Sequence, residues 1–149
     1  MLQRLNVRGF VLIDQLELEL GPGLNVLSGT SGGGKSLLLE ALRFVLGRGS
    51  GGRKAAARWV RPGAEAAEVE AEFRLDPERS AALSEALGRE APADGRWQLT
   101  RRLSAAGRGR CSLNGEPVSR DALQAGALGL VELFGQGSAQ RLLDPEAQL

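Results

Sequence analysis

The chain has 149 residues and a mass of 15.7 kDa, which allows one domain with a buried core and leaves no room for a second full one. Its 19 basic and 18 acidic residues leave a net charge of +1, which by itself points to no partner. A single cysteine excludes an internal disulfide framework, and no window approaches the apolar run that crosses a bilayer, so a reducing, cytoplasmic setting is expected.

The N-terminus, MLQRLNVRGFVLIDQ, carries arginines and an aspartate within its apolar stretch and lacks the continuous core of a signal peptide. Leu16, Leu18 and Leu20 alternate with Glu17 and Glu19, the period of a half-exposed strand, and residues 2–7 read as its partner. Gly21-Pro22-Gly23 forces a turn. Residues 24–28 (LNVLS) read as a short strand buried on both faces. A glycine-rich stretch follows, then Leu38, Leu39, Leu42, Val45 and Leu46 recur at helical spacing, which predicts an amphipathic helix over residues 35–46 ended by Gly47. Residues 47–54 (GRGSGGRK) read as a mobile loop.

The second half predicts a different kind of sheet. Val69, Ala71, Phe73 and Leu75 alternate with Glu68, Glu70, Glu72 and Arg74, and Pro77 opens a short helix to about Leu87. Residues 97–103 and 110–113 read as strands, with Asn114-Gly115 as a tight hairpin turn, so an antiparallel meander is expected. Ser119 is placed to cap a helix, with Val118 and Leu123 at the two staple positions. Residues 130–134 (LVELF) form an apolar strand running into Gly135-Gln136-Gly137. Cys111 reads as a small, half-buried strand residue rather than a reactive thiol.

Chemistry concentrates in Gly29-Thr30-Ser31-Gly32-Gly33-Gly34-Lys35-Ser36, which matches G-x-x-x-x-G-K-S/T. Glycines let the backbone wrap around phosphates with successive N–H groups pointing inward, Lys35 brings an ammonium to the terminal phosphates, and Ser36 offers a hydroxyl to Mg2+. The following helix adds its positive end. Chance supplies roughly 0.003 such matches in a chain of this composition, and the setting between a predicted strand and a predicted helix fits an α/β P-loop fold. A glycine turn that merely joined strand to helix would not explain Lys35, since the other basic residues, Lys54 apart, are all arginine.

Hydrolysis also requires a metal-holding acid at the end of an apolar strand. Glu132 lies inside residues 130–134 rather than after them and reads as an outward-facing strand residue, so no catalytic residue is assigned. Gln136 follows that strand; taken alone, a glutamine flanked by glycines is a surface turn.

Together, residues 1–42, GAEAAEVEAEF, CSLNGEPVS and LVELFGQGSAQRLLDP closely resemble the N-terminal head segment of the bacterial RecN family of SMC-like repair ATPases, nearly from end to end. The resemblance implies the N-terminal lobe of a split, ABC-type ATPase head with an antiparallel β-subdomain. In that family a coiled coil separates this lobe from a C-terminal lobe that carries the signature sequence and the Walker B acid. Gly29 through Ser36 would then bind ATP, Ser36 and Gln136 would ligate Mg2+, and Gln136 would sense the γ-phosphate. The implied partners are the C-terminal lobe of the same head, a second head in a homodimer, and DNA at double-strand breaks; no membrane is implied. The 149 residues would be half a head, ending where the coiled coil would begin, able to bind nucleotide and unable to turn it over alone.

Two positions depart from the family pattern. Thr30 stands where an acidic residue is usual, and Gly137, Ser138 and Ala139 stand where histidines surround the glutamine, which bears on the tuning of hydrolysis. Two basic groups, Arg101, Arg102, Arg108 and Arg110, and Arg53, Lys54, Arg58 and Arg61, are candidates for DNA phosphates against the alternative of solvated faces; one of the second group could instead reach ATP across engaged heads. A nucleotide-gated dimerisation module and a transporter-type ATPase subunit are the alternative functions. A small P-loop kinase or GTPase would carry its acidic metal-binding segment within this length, and none is visible.

Overall fold

The computed structural model describes residues 1–29, 34–48, 52–127 and 130. Alternation of apolar and charged residues produces strands that bury one face. β1 (Leu2–Phe10) and β2 (Ile13–Glu19) form a hairpin in which Leu5 lies opposite Leu18 and Val7 opposite Leu16. β1 also pairs with β3 (Ala66–Arg74), with Leu5 opposite Ala71 and Val7 opposite Val69. β4 (Arg96–Ser104), β5 (Gly109–Leu113) and β6 (Glu116–Val118) complete an antiparallel sheet of order β2-β1-β3-β4-β5-β6. Its inner face carries Val69, Ala71, Phe73, Trp97 and Leu99, all fully buried, while Glu68, Glu70 and Glu72 take the outer face as the period of two requires. Asn114 and Gly115 turn β5 into β6 with φ of 49° and 83°, the backbone that a type I′ turn needs.

Helices cover the inner face. α1 (Lys35–Val45) and α2 (Arg53–Trp59) pack on β3 and β4. Phe10, Phe44 and Trp59 form one aromatic cluster with centroids 5.3, 5.3 and 6.0 Å apart, joining the end of β1 to both helices. α3 (Pro77–Leu87) starts at Asp76, whose carboxylate accepts the Arg79 N–H at 2.9 Å, and it is held to β4 by the buried Trp97 indole donating to Ser80 Oγ at 2.9 Å. α4 (Arg120–Ala127) is capped as expected by Ser119, which accepts the Ala122 N–H at 3.1 Å, and Leu123 enters the core.

Two expectations are corrected. Residues 53 and 54, expected in the loop over 47–54, instead open a helix that runs to Trp59, because Ala55, Ala56 and Trp59 bury one helical face. Residues 24–28 form no strand and are exposed, with Leu24 and Val26 at 90% and 76% exposure. The six-stranded sheet is complete without them, so the segment has no neighbouring strand among the described residues; only the turn before it is fixed, by Asn25 donating to the carbonyls of Gly21 and Gly23 at 2.9 and 3.3 Å. The expected strand over 130–134, apart from residue 130, lies outside the described residues.

Candidate functional site

The exposed segment delivers the chain to the glycine loop. Gly34 takes φ 86° and ψ −1°, a left-handed conformation that strains any residue with a Cβ, and its carbonyl accepts the Leu37 N–H at 2.9 Å to start α1. Among the described residues no side chain caps this end of α1, and its first turn contains no acid. The first N–H groups of the helix have no intrahelical acceptor, so an anion is favoured there by hydrogen bonding and by the helix dipole. Lys35 Nζ donates back to the carbonyl of Gly29, which sets the ammonium beside that residue. Ser36 lies in the first helical turn, exposed to solvent.

Of the predicted site residues, Lys35 reaches Gly29, and Gly34 and Ser36 flank Lys35 at the start of α1. Thr30, Ser31, Gly32, Gly33, Glu132, Gln136 and the Gly137-Ser138-Ala139 departure lie outside the described residues. Among the described residues no cluster of three or more His, Cys, Asp or Glu side chains could hold a metal. A hard cation at this site would rest on the Ser36 hydroxyl and phosphate oxygens, a donor set that suits Mg2+.

The opposite end of α1 is built differently. Gly47 (φ 82°) and Arg48 close it with N–H bonds to Phe44 O at 3.1 Å and Arg43 O at 3.0 Å, a Schellman arrangement. A Cβ on Gly47 would meet Arg120 O at 3.0 Å. Arg101 of β4, only 3% exposed, reaches this end: its Nη1 donates to Phe44 O at 2.8 Å and Arg48 O at 2.7 Å, and its guanidinium lies 4.3 Å from the Phe44 ring centroid. Burial lowers the Arg101 pKa, with Arg120 acting in the same direction, yet the guanidinium remains charged against a helix C-terminus and a ring face. The sequence offered a signal for this, since Arg101 falls in phase with Trp97, Leu99 and Leu103 on the buried face.

The remaining basic residues separate into paired and open ones. Arg101 is a buried residue and not a candidate for DNA phosphates, contrary to expectation. Arg102 pairs with Glu68 at 3.3 Å, Arg61 with Asp14 at 3.2 Å, and Arg58 lies over the Trp59 ring at 4.5 Å and 3.8 Å from Glu40. Arg53, Lys54 and Arg110 are exposed, and Arg108 lies beside them in the β4–β5 turn. The two groups separate in sequence meet in space, because Gly52 N–H donates to Gly107 O at 3.2 Å and sets the start of α2 against the β4–β5 turn. A groove of about 860 Å³ beside β5 is lined by Arg101, Arg102, Arg110 and Arg120 but also by Glu68 and Asp121; Arg102 and Arg120 pair with those two acids, and Arg101 is turned to the carbonyls of Phe44 and Arg48. Cys111, half-buried there, has its thiol pKa raised by desolvation against the opposing pull of Arg101 and Arg120, which leaves it a poor nucleophile.

Comparisons with known proteins bear on the fold and the family. Over its full length the chain is 38% identical to "DNA repair protein RecN" of Xylella fastidiosa, and over 99% of its length it is 40% identical to the proteins of that name from Synechocystis sp. and Deinococcus radiodurans. It spans about a quarter of the length of these curated relatives, namely 26%, 25% and 22%. Among solved structures it superposes on one described as structural biochemistry of ATP-driven dimerization and DNA stimulated activation of SMC ATPases (TM-score 0.73, 20% identity, 97% of this chain and 93% of that one). It also superposes on the Smc head domain of Pyrococcus yayanosii with a coiled coil and joint (TM-score 0.73, 22% identity, 95% of this chain and 29% of that one). These likenesses give the fold of an SMC-type ATPase head. The AAA domain model matches residues 4–103, and by that match over more than half its length the chain belongs to the AAA domain family.

Proposed function

We propose that this chain is the ATP-binding N-terminal lobe of an SMC-like ATPase head that acts in double-strand break repair by recombination. The observation that carries the reading is the left-handed Gly34 opening an α1 whose first turn holds no acid and, among the described residues, no side-chain cap, with Lys35 donating to the Gly29 carbonyl. Similarity to RecN proteins over the whole chain supports the repair context. In this reading Gly29 through Ser36 hold the phosphates of ATP, displacement of Lys35 from Gly29 accompanies binding, and Ser36 with Gln136 ligates Mg2+. Mg2+ supplies charge neutralisation between the phosphates; the chain's own residues bind and orient them.

Head completion and hydrolysis belong to a C-terminal lobe bearing the signature sequence and the Walker B acid, and ATP engages two heads. Exposed Leu24, Val26 and Leu27 support such a partner lobe, since an apolar segment of this length gains by being covered. Arg53, Lys54, Arg108 and Arg110, gathered where Gly52 meets Gly107, are the candidates for DNA phosphates. Calorimetric titration with Mg–ATP, with and without a separately expressed C-terminal lobe, tests the assignment: binding without turnover by the chain alone and turnover on adding the lobe are expected. Steady hydrolysis by the purified chain alone would sink it. For the DNA surface, Arg108→Glu should reduce the log–log salt slope of binding by about 0.9 for each phosphate that the side chain no longer neutralises.

A further inference from the structure

The fully buried residues of α1 are Ala41, Phe44 and Val45, all in its second half, whereas the residues that would meet nucleotide are at its start. The helix is therefore anchored at one end and works at the other. Eleven residues make a lever of about 16 Å, so a swing of about 10° at the anchor carries the N-terminus by about 3 Å, more than the whole working range of a hydrogen bond.

At that anchor sits Arg101, reaching two carbonyls and one ring face from the middle of β4. Its two hydrogen bonds converge from Phe44 O, inside the last turn, and Arg48 O, past the Schellman closure, and the Phe44 ring limits the plane of the guanidinium. Those interactions fix the helix end in rotation and along its axis. Leucine or methionine at this position would fill the space but take the charged donor from Arg48 O and leave Phe44 O with the Gly47 N–H alone. Lysine could donate to the carbonyls but would lose the planar stack.

We propose that Arg101 is a positioning residue for the nucleotide site: by clamping the C-terminal end of α1 to β4 it sets where the N–H groups of the first turn, Lys35 and Ser36 meet the phosphates. The role rests on the reading of Gly29 to Ser36 as a nucleotide site and concerns a residue that touches no nucleotide itself. It also makes the antiparallel sheet a mechanical part of that site, since Arg101 lies between Val69 of β3 and Cys111 of β5 in the ladder.

The test is Mg–ATP titration of the 149-residue chain and its variants at a temperature where circular dichroism shows each folded. Arg101→Met is expected to weaken binding by about tenfold or more, as a displacement of about 1 Å in a preorganised site does, and Arg101→Lys by less. Arg102→Met, one residue on but on the outer face, should stay within about twofold. Leu103→Ala lowers stability from the same buried face without removing a donor from α1 and should bind as the unaltered chain does. Should Arg101→Met fail to fold, Arg101→Lys reads the same comparison. Unchanged affinity in the Arg101 variants, or an equal loss in Leu103→Ala, overturns the inference. If Lys35→Ala abolishes binding while Arg101→Met does not, the nucleotide reading stands and the inference alone falls; if the unaltered chain binds no Mg–ATP, both fall.

Discussion

The antiparallel sheet with its helices and the segment that leads into the phosphate loop are built on opposite principles. In the sheet, the inner-face positions from Val7 through Ala67–Phe73 to Trp97–Leu103 are buried, and Arg101, the one buried charge among the described residues, finds acceptors. Along residues 20–29 the same kind of apolar residue lies open, with Leu24 at 90% exposure, and the helix that follows fully buries nothing until Ala41. The first region satisfies its own hydrogen bonds and its own apolar surface, whereas in the second Leu24 and Val26 lie exposed and, among the described residues, no side chain caps the start of α1. A region that is finished resists change at its contacts; a region that is not finished resists change in its binding.

Substitutions should separate the two. The largest effect is expected from Phe44→Ala, which removes the ring shared by Phe10, Trp59 and Arg101 and should cost about 3–5 kcal/mol in chemical denaturation. Lys35→Ala should leave stability within about 0.5 kcal/mol while weakening Mg–ATP binding by about 2–3 kcal/mol, on the order of 100-fold, by calorimetry. A matching loss of stability would mean that the loop is part of the finished region. Ser80→Ala strands the Trp97 indole N–H in the core and should cost about 1–3 kcal/mol, with nucleotide affinity unchanged.

Weaker effects sharpen the contrast. Leu24→Asp with Val26→Asp should alter the stability of the chain by no more than about 0.5 kcal/mol, because neither side chain is packed. The same pair should abolish co-purification with a separately expressed C-terminal lobe. The smallest effect concerns acid. The N-cap hydrogen bond from Arg79 holds the Asp76 carboxyl below its ordinary value of 3.8, so its contribution is present above that value and is lost as pH falls through the lower folded value. Asp76→Asn should keep the cap and flatten that part of an acid denaturation curve.

How legible was this in the sequence? Local rules reach far where the partner is near. The period of two in residues 68–75, the Asn114-Gly115 turn, the Ser119 cap and the helix from Lys35 to the glycine stop all follow from neighbours within a few residues, and the structure has each of them. The glycine loop was visible for the same reason, as its spacing is local. Helix α2 was missed because the glycines of residues 47–54 outweighed a short burial pattern, Ala55, Ala56 and Trp59, whose meaning depends on Phe10 and Phe44 elsewhere along the chain.

Arg101 marks the boundary most clearly. The sequence by itself determined the glycine-rich motif, the alternating strands of the antiparallel sheet, the turns and the family likeness, since each is a matter of residue type at fixed spacing. Only the tertiary structure decided which arginine is a surface charge and which is a clamp, that the loops at Gly52 and Gly107 meet, and that residues 24–28 stay open. These depend on segments as far apart in the chain as Arg101 and Phe44, or on the absence of a neighbouring strand among the described residues, and no local pattern encodes what a distant segment will bring.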